Sequence, residues 1–416
     1  MSTPPLKITI IGAGIAGLTT ALALLRTTPH HITLLEKSLF TTPETGAAMY
    51  VGPNASVHLL RLGWDPVRTR AIPCEGVLSI WGPTGEVRNN MALEGVRKQW
   101  ASPWLLVHRG DLHGELMGLV KEGGVDVRLG VRIVEVDAES GRVVLDDGTV
   151  FESDAIVGAD GNNSIARKSV DPGAVLRPWG KSCYRFLVGR EVLKRDEETR
   201  GLVEEDGYFL DVLANDRKFV AYPCRNNTEV NVAAFLPDEE LGGSGDDWEQ
   251  QGNKTKMMNG FAGFYPAARK SLSYADEDLK VWQLVDMDQL KQWNKGRLAL
   301  IGDAAHPFLP FLGQGAAQAI EDAISVAKVL QPGTKASDVP ELLKLYDGIR
   351  RERVDYVQEQ TRLNGLDEDK GRPPPSALFG MLDYCHKHDE WTNTEQKLQE
   401  WRQGRANESN GVNGHS

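Results

Sequence analysis

"KITIIGAGIAGLTTALALL" occupies Lys7 to Leu25, and "HHITLLEK" follows from His30 to Lys37. The first stretch opens as an apolar strand, breaks at glycines and continues as an apolar-rich helix. The second is another strand, ending at Glu36. Together they predict a βαβ unit. Gly12, Gly14 and Gly17 form GxGxxG, a weak motif when it stands alone. Here it leaves a strand and opens a helix, and an acidic residue ends the next strand 19 positions after Gly17. That context makes it a dinucleotide fingerprint. Gly12 permits the tight turn, Gly14 lets the backbone approach a pyrophosphate, and Gly17 allows close helix–strand contact. The pyrophosphate charge belongs at the helix N-terminus. Glu36 is placed to accept from the adenosine ribose and to repel a 2′-phosphate, which selects FAD or NAD over NADP.

The rest of the chain decides between those two. An NAD dehydrogenase would continue with helix-linked parallel strands. From Val125 to Asp160 this chain instead alternates by twos, with turn signals at Glu139-Ser140-Gly141 and Asp147-Gly148, and reads as hairpins. "CYRFLVGREVL", "GYFLDVLA", "KFVAYPC" and "EVNVAAFLP" form a second group of strands between Ser182 and Pro237. Helices are predicted over Ala316–Leu330 and Pro340–Asn364, with a break at "GRPPPS".

"GRLALIGD" is a further buried strand, ending at Asp303. It continues as "AAHPFLPFLGQGAAQAIEDA", where Gly313 and Gly315 flank Gln314 at a helix start. A flavin needs an acceptor for its ribityl hydroxyls, and Asp303 suits that role. Its reduced ring carries negative charge around N1 and C2=O. The N–H groups of a helix start at Gly315 and Ala316 suit that edge, since neither residue has bulk to block the approach. Asp303 and His306 lack the ligand count of a metal site, so no metal is expected. His306 is read as shaping the loop. A hydrolytic role has no support, because no GxSxG nucleophile is present.

Composition narrows the partners. The chain has 416 residues, 41% apolar and 25% charged, with a net charge of −11. Such a balance disfavours nucleic acid and anionic membrane surfaces. Cys74, Cys183, Cys224 and Cys385 are far apart and read as free thiols of a reducing, cytoplasmic compartment. "MSTPPLKITIIGAG" lacks the make-up of a signal peptide, and no apolar run approaches the ~18 residues of a membrane span.

The two glycine segments, with "GADGNNSIAR" (Gly158 to Arg167) between them, resemble the group A flavoprotein aromatic monooxygenases. The relatives in that group are salicylate-hydroxylase-like enzymes and hydroxylases of fungal polyketide and alkaloid pathways, and the resemblance covers roughly Ile8 to Leu363. It implies an α/β fold: a Rossmann-like FAD-binding domain, an inserted mixed β-sheet substrate domain and C-terminal helices. The expected boundaries are 1–73, 101–172 and 278–330 for the FAD domain and 74–100 and 173–277 for the substrate domain. The helices would cover 331–400, and 401–416 would be a disordered tail, being too polar to pack. The resemblance also places Gly46 and Ala48 of "TGAAMYVGPNAS" beside the flavin ring and Arg109 of "LVHRGDL" against FAD. It links Asp160 of "GADG" to FAD and NAD(P)H. One departure is "AAM", where many relatives carry Gly-Ile or Gly-Leu after Gly-Ala.

In the substrate half, Arg185 sits in the apolar run "SCYRFLV", where a charge needs a partner. It forms a structural ion pair, or it binds a phenolate or carboxylate and keeps it ionised. Some family members use an arginine in a similar strand in the second way. Tyr222 of "FVAYPCRNN" resembles a family tyrosine lining the same pocket, suited to donate to a substrate oxyanion; a core tyrosine is the plainer reading. The implied activity is hydroxylation of a small aromatic substrate with FAD, NAD(P)H and O₂ through a flavin C4a-hydroperoxide, in a monomer or homodimer. "LGGSGDD" lacks the strand–helix frame of a second dinucleotide site, so NAD(P)H is expected to bind transiently. An oxidase, reductase or epoxidase on the same fold, or a non-enzymatic redox flavoprotein, are the alternatives.

Overall fold

The computed structural model describes residues 3–40, 47–240, 249–277 and 279–412. The glycine stretch does what its pattern predicts. Lys7–Ile11 is a strand, Ile15–Thr27 a helix and His31–Glu36 a strand parallel to the first. These strands join Asp126–Leu129 on one side and Ala155–Gly158, Leu298–Leu300 and Asn294–Lys295 on the other, in a six-stranded sheet. Lys7–Ile11 is central, with four of its five residues buried. A strand covered on both faces is apolar and β-branched along its length, and after the exposed Lys7 the residues Ile8, Thr9, Ile10 and Ile11 are all β-branched and buried. The Ile15–Thr27 helix is buried over nearly its whole first two turns, wedged between the sheet and a later helix, Gly315–Val329.

The hairpin reading of 125–160 is only partly right. Ile133–Asp137, Arg142–Leu145 and Val150–Glu152 form an antiparallel ribbon. Asp126–Leu129, however, pairs in parallel with His31–Glu36 at the edge of the nucleotide sheet. Its alternation follows from being an edge strand with one wet face, which local pattern cannot distinguish from a hairpin.

A second sheet of eight strands runs Glu249–Gln251, Lys280–Met287, Leu176–Gly189, Glu229–Pro237, Lys218–Cys224, Tyr208–Leu213, Gly76–Trp81, Glu86–Ala92. Its far face carries Tyr184, Phe186, Val232, Ala234 and Phe219, packed against two short helices through Met257, Phe261, Ala268 and Leu272. Its near face carries Cys183, Ala233 and Phe235, packed against Leu309 and Phe311 of the segment that follows Asp303. Lys280–Met287 was expected with the nucleotide part. Its alternating sequence instead pairs it with Leu176–Gly189, so the wide sheet extends past residue 277.

Helices Val339–Gly365, Pro375–His386 and Glu390–Val412 complete the chain. The last corrects the expectation of a disordered tail from residue 401, because the helix continues to Val412. Leu398 is buried in the main core and Trp391 and Trp401 pack on it. A helix nucleated by such anchors propagates into a polar stretch at little cost. Residues 413–416 lie outside the described residues. Among the described residues no helix is long and apolar enough to cross a membrane.

The helices are pinned by a buried ionic knot. Arg350, Glu321, Asp322 and Glu390 all have fully buried side chains. Arg350 donates to Asp322 (2.9 Å), to Glu321 (2.6 Å), to Glu390 (2.9 Å) and to the Gln318 side chain (2.7 Å). Arg353 bonds both oxygens of Glu321 at 2.8 Å. Removing one member of such a cluster leaves a buried charge unpaired, at a cost of roughly 3–5 kcal/mol. Arg350→Ala should therefore lower the urea midpoint sharply, and Arg350→Lys, lacking the planar fork, should recover only part of it. Burial alone would raise the Glu321 and Asp322 pKa values. The arginines, with His306 on Asp322, overcome it and hold both below the usual carboxylate range. Folded values below unfolded ones stabilise above about pH 4 and lose that contribution as pH falls through the folded values. Urea midpoints measured from pH 7 to 3 should fall only below about pH 4, and the fall should be shallower in Asp322→Asn.

Candidate active site

The first wall of the site is the glycine loop. Gly12 has φ +100°, and a Cβ there would overlap the carbonyl of Ala159. A Cβ on Gly17 would overlap the carbonyl oxygen of Gly12, so helix and loop meet backbone to backbone. A Cβ on Gly14 would meet nothing within 4 Å, so this residue faces open space at an uncapped helix N-terminus. Glu36 accepts from Ala13 N and Ser38 N, both at 2.7 Å, and its carboxylate is thereby fixed beside the loop. His113 Nε2 meets Ala13 O at 2.8 Å and holds the same turn from outside.

The second wall is the segment after Leu298–Leu300. Arg167, at the end of the "GADGNNSIAR" motif, donates to Asp303 O (2.5 Å), Ala304 O (2.7 Å) and Asn162 O (2.7 Å). Asp160 caps the helix that carries Arg167, accepting from Ser164 Oγ (2.5 Å), Ile165 N (2.7 Å) and Ala166 N (3.1 Å). Those bonds give Asp160 a capping role before any ligand is considered. The Asp303 carboxylate is different. It accepts no hydrogen bond from a described residue. Its surface is accessible, yet protein rings it, as at the bottom of a cleft. Burial raises its pKa against the pull of His306, Arg109 and Arg167. His306 does not bond Asp303; its Nε2 lies 2.6 Å from Asp322, which also accepts from Gly302 N at 2.9 Å. Asp303–His306 is thus no acid–base pair. Gly315 and Ala316 begin the Gly315–Val329 helix, whose N-terminus has no side-chain cap. Its first N–H groups have no intrahelical partner.

The third wall is the near face of the wide sheet. Tyr222 donates to Ala48 O at 2.7 Å, and Asn231 Oδ1 accepts from Ala48 N at 2.9 Å. Ala48 is therefore held by both backbone groups. Tyr222's proton goes to this tie, which replaces the expected donation to a substrate oxyanion. Burial keeps Tyr222 neutral by raising its pKa, and Phe209 stacks on it with centroids 5.0 Å apart. Arg185 shares this face and lies near Tyr222, Cys183 and Arg109. Its guanidinium sits over Trp282, 5.5 Å from the ring centroid. Among the described residues no carboxylate pairs with it. Arg109 opens the helix Arg109–Glu122 and faces both Arg185 and Asp303 electrostatically. Gly46 lies outside the described residues, as does the "LGGSGDD" stretch.

Sequence reasoning missed Arg167, Asn231 and the Asp322 tie. Each acts on backbone atoms or through long-range partners, which leave no local pattern. The Glu321–His388–Glu390 group has metal-like spacing, but Arg350 and Arg353 already occupy its carboxylates.

Residues 6–361 match the family model described as "FAD binding domain". The chain is 33% identical over 367 residues to the FAD-dependent monooxygenase atnJ of Arthrinium sp, covering 86% of this chain and 83% of that protein. It is 32% identical to hispidin-3-hydroxylase of Neonothopanus nambi, covering 86% of this chain and 87% of that one. The solved structure "Salicylate hydroxylase substrate complex" superposes with a TM-score of 0.77 at 26% identity, over 94% of this chain and 98% of the other. The chain belongs to the FAD-binding-domain family, and it is a FAD-dependent monooxygenase. The open face at Gly14, the Asp303 carboxylate, which accepts no hydrogen bond from a described residue, and the uncapped helix at Gly315 fit its cofactor, FAD.

Asp303→Ala should weaken FAD binding by about 1.5–3 kcal/mol, the contribution of a charged hydrogen bond, with a nearly unchanged melting temperature. His306→Ala should do the reverse, because it disturbs the Asp322 knot. Flavin dissociation constants and thermal melts on both variants check this.

Proposed function

We propose that this FAD-dependent monooxygenase uses NAD(P)H and O₂ to hydroxylate a small aromatic compound that binds as a phenolate or carboxylate. The observation that carries the reading is Arg185. A guanidinium half-enclosed in a sheet face, beside Trp282, Cys183, Tyr222 and the like-charged Arg109 and with no carboxylate partner among the described residues, is costly unless an anion joins it. The relatives' names, hispidin-3-hydroxylase and salicylate hydroxylase, agree with an aromatic substrate.

Bound FAD supplies the redox and oxygen-activating chemistry. Gly12, Gly14, Gly17 and Glu36 hold its adenosine and pyrophosphate half, and Asp160 supports that side by capping its helix. Asp303 takes a ribityl hydroxyl, and Arg109 lies beside it. Gly315 and Ala316 would offer N–H groups to the ring edge, with Ala48 along the other side. Arg185 holds the substrate's ionised oxygen, which raises the electron density of the ring to be attacked. If the attacked carbon bears a carboxylate, CO₂ leaves. Tyr222 acts as a positioning residue, fixing Ala48 so that the ring and the substrate keep their spacing. Leu309 and Phe311 close over the sheet and exclude water. NAD(P)H binds transiently, without a second nucleotide fold. All four cysteines are unpaired and buried, which suits the cytoplasm.

Arg185→Ala should keep its flavin and melting temperature but lose most substrate-stimulated NAD(P)H oxidation, with Arg185→Lys partly active. Normal turnover in a folded Arg185→Ala protein would remove the anchor.

A further inference from the structure

The hairpin formed by Lys218–Cys224 and Glu229–Pro237 grips the cofactor side of the molecule at more points than Ala48. Its turn, Arg225–Asn227, has three successive left-handed residues, with φ +49°, +56° and +60°. Asparagine tolerates that backbone because its short side chain bonds locally; arginine has no such compensation. Arg70, on the loop after the helix Pro53–Leu62, is left-handed as well, at φ +53°. Of the five non-glycine residues with positive φ among the described residues, four therefore meet at this junction, where Asn226 N donates to Arg70 O at 3.0 Å. Strain kept at two arginines points to a use for their side chains.

Both arginines reach one carboxylate. Arg225 clamps Asp111 with two bonds, Nε to Oδ2 and Nη2 to Oδ1, each 2.9 Å, and Arg70 Nη2 adds a third at 2.7 Å. Arg225 also donates to Glu229 at 3.0 Å and to Nδ1 of the buried His108 at 3.2 Å. Burial would raise the Asp111 pKa, but Arg225 and then Arg70 hold it below the usual carboxylate range. A planar fork on a carboxylate fixes orientation as well as distance. Asp111 lies in the first turn of the helix Arg109–Glu122, which has no side-chain cap of its own. The entry to that helix is held from outside. Arg109 N donates to Ala47 O at 3.0 Å, and His108 pairs with Ala48, the residue that Tyr222 and Asn231 hold. One hairpin thus steadies both strands that lead to Arg109, through Tyr222 and Asn231 on the first and through Arg225 just past the end of the second.

We infer that Arg225 is a positioning residue for the flavin: through Asp111 it fixes the first turn of the Arg109–Glu122 helix, and with it the charge that Arg109 presents to the cleft. Arg109 lies within electrostatic reach of Asp303, so its placement bears on the same part of the cleft. A guanidinium held there favours the extra negative charge of the reduced cofactor. The inference rests on the reading of Arg109 as a flavin contact and deepens it, by naming what sets its position.

The test uses the FAD-loaded protein and reads the FAD dissociation constant, the flavin midpoint potential and the melting temperature at saturating FAD. Arg225→Asn is the informative variant, because asparagine suits the left-handed turn while removing the clamp. It should keep the melting temperature, weaken FAD binding about three- to tenfold and move the potential downward. Arg225→Lys, which keeps the charge without the fork, should recover part of both. Asp111→Asn should match Arg225→Asn in affinity and potential, and the double variant should be no weaker than either single one. Unchanged affinity and potential in Arg225→Asn, where Arg109→Ala alters both, overturns the inference and leaves the Arg109 reading standing. Additive losses in the double variant, or weaker FAD binding only alongside a lowered melting temperature, assign Arg225 to structure and also overturn it. An Arg109→Ala protein with wild-type affinity and potential overturns the Arg109 reading itself, and this inference with it.

Discussion

Asp322 is the point on which the structure depends. One of its oxygens accepts from the backbone of Gly302 and from His306; the other accepts from Arg350. The first pair fixes the segment that carries Asp303. The second ties that segment to the helices Val339–Gly365 and, through Glu390, Glu390–Val412. Burying these charges brings a desolvation penalty that an apolar cluster would avoid. What the knot provides is geometry. It sets where the Leu298–Leu300 strand ends and where the Gly315–Val329 helix begins, and those two ends define one side of the cofactor cleft.

The same division of labour recurs across the cleft. Arg167 holds the Asp303 and Ala304 carbonyls, while Tyr222 and Asn231 hold Ala48. In each case a side chain from a distant strand or helix grips backbone atoms of a loop. Loops so held can present N–H groups and the Asp303 carboxylate without bulky side chains of their own. This accounts for the small residues around the cleft, since bulk there would displace the ligand. The wide sheet adds what the loops lack, namely side chains on a rigid face, with Arg185 among them.

The legible part of the fold was the part built from local pattern. Gly12, Gly14, Gly17 and Glu36 announce themselves because a tight turn, a close approach and a strand end each demand a residue type at a fixed spacing. Asp303 was legible because a strand, an acid and a glycine-flanked helix start follow one another. The misread elements are those whose state is decided by a distant partner. Asp126–Leu129 alternates like a hairpin strand but pairs in parallel with His31–Glu36. Lys280–Met287 joins a sheet whose nearest strand in the stack begins at Leu176. The polar end of the last helix is carried by Leu398 and the tryptophans that precede it or follow close by. The hydrogen bond of Tyr222 left no local signal either, because its acceptor, Ala48 O, is 174 positions away.

The most direct test of the account is the fate of molecular oxygen. The FAD-loaded protein would be given NAD(P)H, ¹⁸O₂ and the phenol that most accelerates NAD(P)H oxidation, and the product analysed by mass spectrometry. The account predicts one ¹⁸O atom in each product molecule, on a ring carbon, with nicotinamide and phenol consumed in equal amounts. Hydrogen peroxide in place of labelled product, or an oxidised product free of ¹⁸O, would contradict it.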